Sequence, residues 1–169
     1  MKGKTPRESR TVKAALIQPS DTNYYGTMFG GSMMAFIDEV AAITAMRHSR
    51  RPCVTASIDS IDFLAPVKMG NSICVEAVVS STGRTSMEIF VKVVSEDLRT
   101  GERTLTATSF LTFVAVDENG RPVEVPPLIP ETEEEKYLMA SAGERKRMRA
   151  ERKKKSQEFI SQLSIGKDI

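Results

Sequence analysis

Phe29-Gly30-Gly31-Ser32-Met33-Met34-Ala35-Phe36-Ile37-Asp38-Glu39-Val40-Ala41-Ala42 is an apolar helix opened by two glycines, with one acid, Asp38, in its middle. Plotted at about 100° per residue, apolar side chains lie nearly all the way round, which predicts a helix enclosed by other structure. It runs to about residue 47, where Arg47, His48, Arg50 and Arg51 complement the C-terminal dipole and Pro52 forbids continuation. Ahead of it, residues 11–18 read as a strand closed by Pro19-Ser20-Asp21, and residues 21–29 form a turn-rich loop. Behind it, residues 54–63, 72–80, 85–95 and 103–116 alternate with period two and are rich in Val, Ile, Thr and Phe. Turns at residues 66–70, 81–83, 100–101 and 118–120 separate them. One early helix followed by four consecutive strands predicts an α+β arrangement, an antiparallel β-sheet wrapped around a long central α-helix.

The 169 residues, 40% of them hydrophobic, suit one domain and a tail. The charged N-terminus and the lack of a long apolar run lead us to expect a cytoplasmic protein with no membrane segment. Cys53 and Cys74 have no metal-ligand spacing and read as reduced core thiols. The net charge of +2 conceals segregation, because residues 131–135 are acidic and residues 145–155 hold eight Lys and Arg. The body is therefore not expected to bind nucleic acid. Pro126, Pro127 and Pro130 make a stiff linker, so we divide the chain into a domain at 8–125 and a Pro-rich linker with a charged helical tail at 126–169. That tail is expected to stay in solvent with some ion pairing.

Asp38 is the foremost candidate for chemistry. A carboxylate among Met, Ile and Ala costs several kcal/mol unless it is paired, hydrogen-bonded or protonated, so its presence asks for a reason. It shares a stripe with Gly31, Met34, Ala35, Ala41, Ala42 and Ala45, mostly small, which leaves room for a ligand. Either it acts on that ligand, or it bonds a group on a neighbouring strand and fixes the helix. Gly30 and Gly31 expose N–H groups at the positive end of the helix, suited to an oxyanion. Asn23, beside Tyr24, Tyr25 and Gly26, either holds a carbonyl or water or makes an Asx-turn. Glu39 pairs with Arg47 or faces a partner chain, and Gly83-Arg84-Thr85-Ser86 is a phosphate-binding turn or an ordinary hairpin. No Ser-His-Asp triad, zinc pattern or dinucleotide fingerprint is present.

Asn23-x-x-Gly26-x-x-Phe29-Gly30-Gly31, then Met34 and Asp38, then Val54-Thr55-Ala56-Ser57-Ile58-Asp59-x-Ile61-Asp62-Phe63-x-x-Pro66-Val67-x-x-Gly70 together resemble the hot-dog acyl-coenzyme A thioesterases of the cytosolic acyl-CoA hydrolase type. The resemblance implies hydrolysis of acyl-CoA to free fatty acid and coenzyme A, with no cofactor beyond the coenzyme A of the substrate. It further implies a homo-oligomer in which two subunits form one continuous sheet with active sites between them, commonly assembled into hexamers. Asp38 would be general base or nucleophile, Asn23 of the partner subunit would position carbonyl or water, and the Gly30 and Gly31 amides would form the oxyanion hole. Gly83, Arg84, Thr85 and Ser86 would contact coenzyme A. The alternative is a non-catalytic acyl-CoA-binding regulator on the same fold.

Overall fold

The computed structural model describes residues 1–163. Strand β1 (Thr11–Leu16) leads through a loop to helix α1 (Gly30–Ser49), which is followed by β2 (Cys53–Phe63), β3 (Ser72–Thr82), β4 (Ser86–Glu96) and β5 (Arg103–Ala115). The strands form one antiparallel sheet in the order β1-β3-β4-β5-β2. The two edge strands are thus the two that flank α1 in sequence, and the helix crosses the sheet from one edge to the other.

Period-two alternation gives the sheet its inner face. Ile73, Val75, Ala77 and Val79 of β3, Met87, Ile89, Val91 and Val93 of β4, and Leu111, Phe113 and Ala115 of β5 are all buried there. They close on Met33, Ile37, Val40, Ala41, Thr44 and Ala45 of α1, each such aliphatic side chain contributing about 1.5–3 kcal/mol on burial. The expectation of a wholly enclosed helix needs correction. The sheet covers one side of α1, while Met34, Ala35 and Met46 stand exposed on the other. A five-stranded sheet curls only part way round a helix, so one apolar side of α1 is left uncovered by the described residues.

The C-terminal end of α1 is fastened by residues distant in sequence. Arg50 ends it in the left-handed region (φ 56°), and Lys4 Nζ donates to the carbonyl of His48 at 2.6 Å. His48 is fully buried, and its Nε2 donates to the Pro126 carbonyl at 2.9 Å while Nδ1 has no partner among the described residues. Burial holds its pKa below the ordinary 6.5, and the Pro126 bond opposes this only in part. The native state therefore keeps His48 neutral, whereas the unfolded chain takes up a proton as pH falls through 6.5. Stability should decline on acidification below that value, and His48→Gln, which keeps a donor for Pro126, should flatten the decline. Urea unfolding between neutral and mildly acid pH measures this, undisturbed by other imidazoles because the chain has one histidine.

The tail differs from its sequence reading. It is helical, as α2 (Glu133–Ile160), with a capping box in which Thr132 accepts from Glu135 N–H. It does not stand in solvent, however, but lies against the outer face of the sheet. Arg145 reaches Glu88 at 2.7 Å, Arg149 reaches Asp59 at 2.7 Å and Glu88 at 3.5 Å, and Arg152 reaches Asp59 at 2.7 Å. Arg145 also lies over the Phe110 ring at 4.2 Å. The reason is that Glu88 and Asp59 sit on outward positions of the sheet under the helix, and three arginines on one stripe of α2 neutralise them. Burial alone would raise the pKa of Asp59, but bonds from Ser57, Thr112 and Arg149 together hold it below the ordinary carboxylate value. No helix among the described residues is long and apolar enough to cross a membrane.

Candidate active site

Asp38 projects from the uncovered side of α1 toward β2. Thr55 Oγ1 donates to Asp38 Oδ1 at 2.9 Å, and Oδ2 accepts no hydrogen bond among the described residues. Register explains the contact, since Thr55 pairs with Phe113 of β5, a core residue, and so points to the helix side of the sheet. The carboxylate is half-buried, flanked by exposed Met34 and Ala35. The structural alternative, a bond to a neighbouring strand, is thus present as geometry. It uses only one of the two oxygens and leaves the other open toward the exposed side.

Asn23 makes the Asx-turn that its loop favours. Its Oδ1 accepts from Tyr25 N–H at 2.9 Å, and its Nδ2 donates to Thr27 Oγ1 at 3.0 Å. Gly26, at φ 71°, completes the turn, and Tyr24 beside it is 98% exposed. No hydrogen bond links Asn23 to Asp38 within the described chain. The first N–H to enter the α1 ladder is that of Met33, which donates to the Phe29 carbonyl at 3.1 Å. The Gly30 and Gly31 N–H groups precede that ladder and have no partner among the described residues. Seven residues of helix separate Gly31 from Asp38, about 10 Å, too far for one carbonyl group to meet both within a single chain.

A cleft of about 350 Å³ opens beside the helix start, lined by Met28, Gly30, Met33, Phe63, Pro66 and Val67. The hairpin at residues 83–86 is internally bonded, with Gly83 N–H donating to Ser86 O at 2.8 Å and the Arg84 and Thr85 carbonyls accepting from Val125 and Ala115. Its Arg84 side chain is exposed. Within the chain Glu39 pairs not with Arg47 but with Lys13 of β1, at 2.6 Å. The residue that sequence reasoning left without a role is Thr55. A threonine in a strand reads as β-propensity, and only the fold reveals that its hydroxyl faces the acid.

A long helix wrapped on one side by a five-stranded antiparallel sheet defines a hot-dog fold. The model of the thioesterase superfamily matches residues 25–102. YkhA of Bacillus subtilis, an uncharacterized acyl-CoA thioester hydrolase, is 52% identical over 95% of this chain and 94% of its own. A hexameric acyl-CoA thioesterase solved without ligand superposes with a TM-score of 0.88 at 51% identity, covering 90% of this chain and 97% of that one. The acyl-CoA hydrolase of Staphylococcus aureus, solved with butyryl coenzyme A and coenzyme A, gives a TM-score of 0.89 at 44% identity over 94% and 96% of the two chains. That enzyme has also been solved with alanine at an asparagine, an aspartate and a threonine, spaced along it as Asn23, Asp38 and Thr55 are here. The chain belongs to the thioesterase superfamily, among its acyl-CoA thioester hydrolases.

Proposed function

We propose that the protein hydrolyses acyl-CoA thioesters to free acid and coenzyme A at a site shared by two copies of the chain, with Asp38 carrying the chemistry. The single observation behind this reading is the Asp38 carboxylate on the uncovered side of α1, fixed by Thr55 through one oxygen and open at the other. The exposed edge of β2, with Val54, Ile58 and Phe63 along it, pairs with β2 of a second copy about a two-fold axis, extending the sheet and covering that side of α1. An antiparallel pairing reverses one chain against the other. It therefore carries the partner's Asn23, with the partner's Gly30 and Gly31, toward Asp38, the distance that a single chain cannot close.

In this arrangement the helix-start amides receive the thioester oxygen as it becomes an oxyanion, and Asn23 of the partner subunit orients carbonyl or water. Asp38 delivers the attack, either by taking the proton of water or by adding to the carbonyl itself. Thr55 holds its first oxygen so that the second faces the substrate. The cleft beside Phe63 and Met33 receives the apolar acyl chain, and the exposed Arg84 turn meets the coenzyme A phosphates. The dimers assemble into a hexamer, the state of the ligand-free neighbour described above.

Thiol release from a panel of acyl-CoA substrates, short to long, tests the activity. Hydrolysis of at least one is the expected result, and binding without release would favour the regulator instead. Thr55→Val should lower kcat about tenfold with KM little changed, the loss of one hydrogen bond to a charged group. An unchanged kcat would remove Thr55 from the mechanism.

A further inference from the structure

Helix α2 is longer than the sheet it crosses. Its 28 residues span about 42 Å at 1.5 Å each, whereas the outer strands of a five-stranded sheet are about 19 Å apart. The helix enters over β3 and β4, where Leu138 shares a cleft with Val78 and Phe90 and Glu134 lies 3.7 Å from Lys92. It reaches the β2 edge at Arg152, which donates to Ser57 and Asp59 at 2.7 Å. From Lys153 to Ile160, no side chain bonds to the sheet among the described residues, and all are exposed. Lys153 and Ile160 line one wall of a gap of about 630 Å³, with Ala56 and Ser57 on its floor. Lys153, Lys154 and Lys155 therefore stand over the Cys53 half of the edge strand without an acidic partner of their own chain among the described residues.

An acid without an ion pair among the described residues lies at the other end of the same strand. Asp62 is exposed, shares the outer face with Asp59, and has no ion pair among the described residues. Within one chain it is five residues from Ser57, about 17 Å along the strand, beyond the reach of Lys153. Two-fold antiparallel pairing of β2 exchanges the ends, setting the Phe63 end of one strand beside the Cys53 end of the other. From this we infer that the last turns of α2 cross the seam onto a second copy of the chain, where the residue 153–155 lysines meet the partner's Asp62. Each α2 then acts as a strap between the two subunits on the outer face of the sheet. Phe159 and Ile160, exposed in one chain, lie on the part that crosses. The inference rests on the β2 pairing proposed above but not on the chemistry assigned to Asp38.

Zero-length carbodiimide coupling of the full chain tests it, because the reagent joins a carboxylate to an amine only where the two touch. The expected result is a covalent dimer with an Asp62–Lys153, Lys154 or Lys155 linkage identified by mass spectrometry. That linkage should be lost in Asp62→Asn and in a variant with residues 153–155 changed to Ala, with thiol release measured on the same samples. A chain ended at Arg152, checked for native circular dichroism, should dissociate at higher concentration than the full chain. Covalent dimers that form equally in all variants, or a truncated chain that dimerises as tightly, would overturn the strap and leave the shared site standing. A full chain that is monomeric at every concentration would overturn both.

Discussion

Asp38→Asn is expected to reduce acyl-CoA turnover at least about a hundredfold, the size associated with losing a positioned base or nucleophile, while the protein stays folded. The two parts of this result have separate causes. An amide keeps the shape of the side chain and retains an oxygen to accept from Thr55, so the 2.9 Å bond that ties α1 to β2 survives. What disappears is the carboxylate oxygen that accepts no hydrogen bond among the described residues. A side chain whose only duty was to fix the helix would tolerate the amide with turnover intact. A folded but inactive variant therefore separates the two readings of Asp38 that the contact with Thr55 leaves side by side. Thiol release, with circular dichroism on the same preparation, is the measurement.

Arg145→Met should cost about 3 kcal/mol of stability, near the lower end of what breaking one side of a buried ion pair costs. Glu88 has only 2% of its side chain exposed and meets Arg145 through Nε at 3.1 Å and Nη2 at 2.7 Å. Methionine keeps an apolar stem over Phe110 but leaves the carboxylate with Ser80 at 2.8 Å and the longer contact to Arg149. Melting should fall by about 6–12 °C for a chain of this size. A shift under about 1 °C would show that the arginine stripe does not secure α2. Asp59 adds a pH dependence of known sign. Because its native pKa lies below the ordinary 3.8, its contribution is complete above that value and is lost as pH falls through the lower native one. Acid should thus release the tail from its Asp59 anchor.

Strand positions and the central helix were legible because their causes are local. Alternation of Val, Ile and Thr against polar residues, broken at Pro66, Gly83, Gly101 and Gly120, sets the strands to within a residue or two of where they lie. The Asx-turn at Asn23 was legible for the same reason. The docking of α2 was not, because Arg145 and Glu88 are 57 residues apart and Arg152 and Asp59 are 93 apart. A run of mixed charge looks the same whether its counterions are on the next turn or on a distant strand. The half-covered state of α1 was hidden for a related reason: apolar residues all round a helix report that it is covered, not whether its own sheet or another copy covers it. Of the candidate site, the acid was visible as an anomaly in an apolar run. Thr55 was not, because only strand register decides which way its hydroxyl points.

If each site takes Asp38 from one subunit and Asn23 from the other, subunit complementation reveals it. Asp38→Asn and Asn23→Ala chains, each inactive alone, are co-expressed with different tags, and the mixed assemblies are isolated and assayed for thiol release. With sites shared across a two-fold axis, a mixed dimer carries one site with both substitutions and one with neither. Isolated mixed dimers then recover about half of wild-type activity, and hexamers built from randomly paired dimers about a quarter. Mixed assemblies that stay as inactive as either parent would contradict the account, because each site would then draw Asp38 and Asn23 from the same chain.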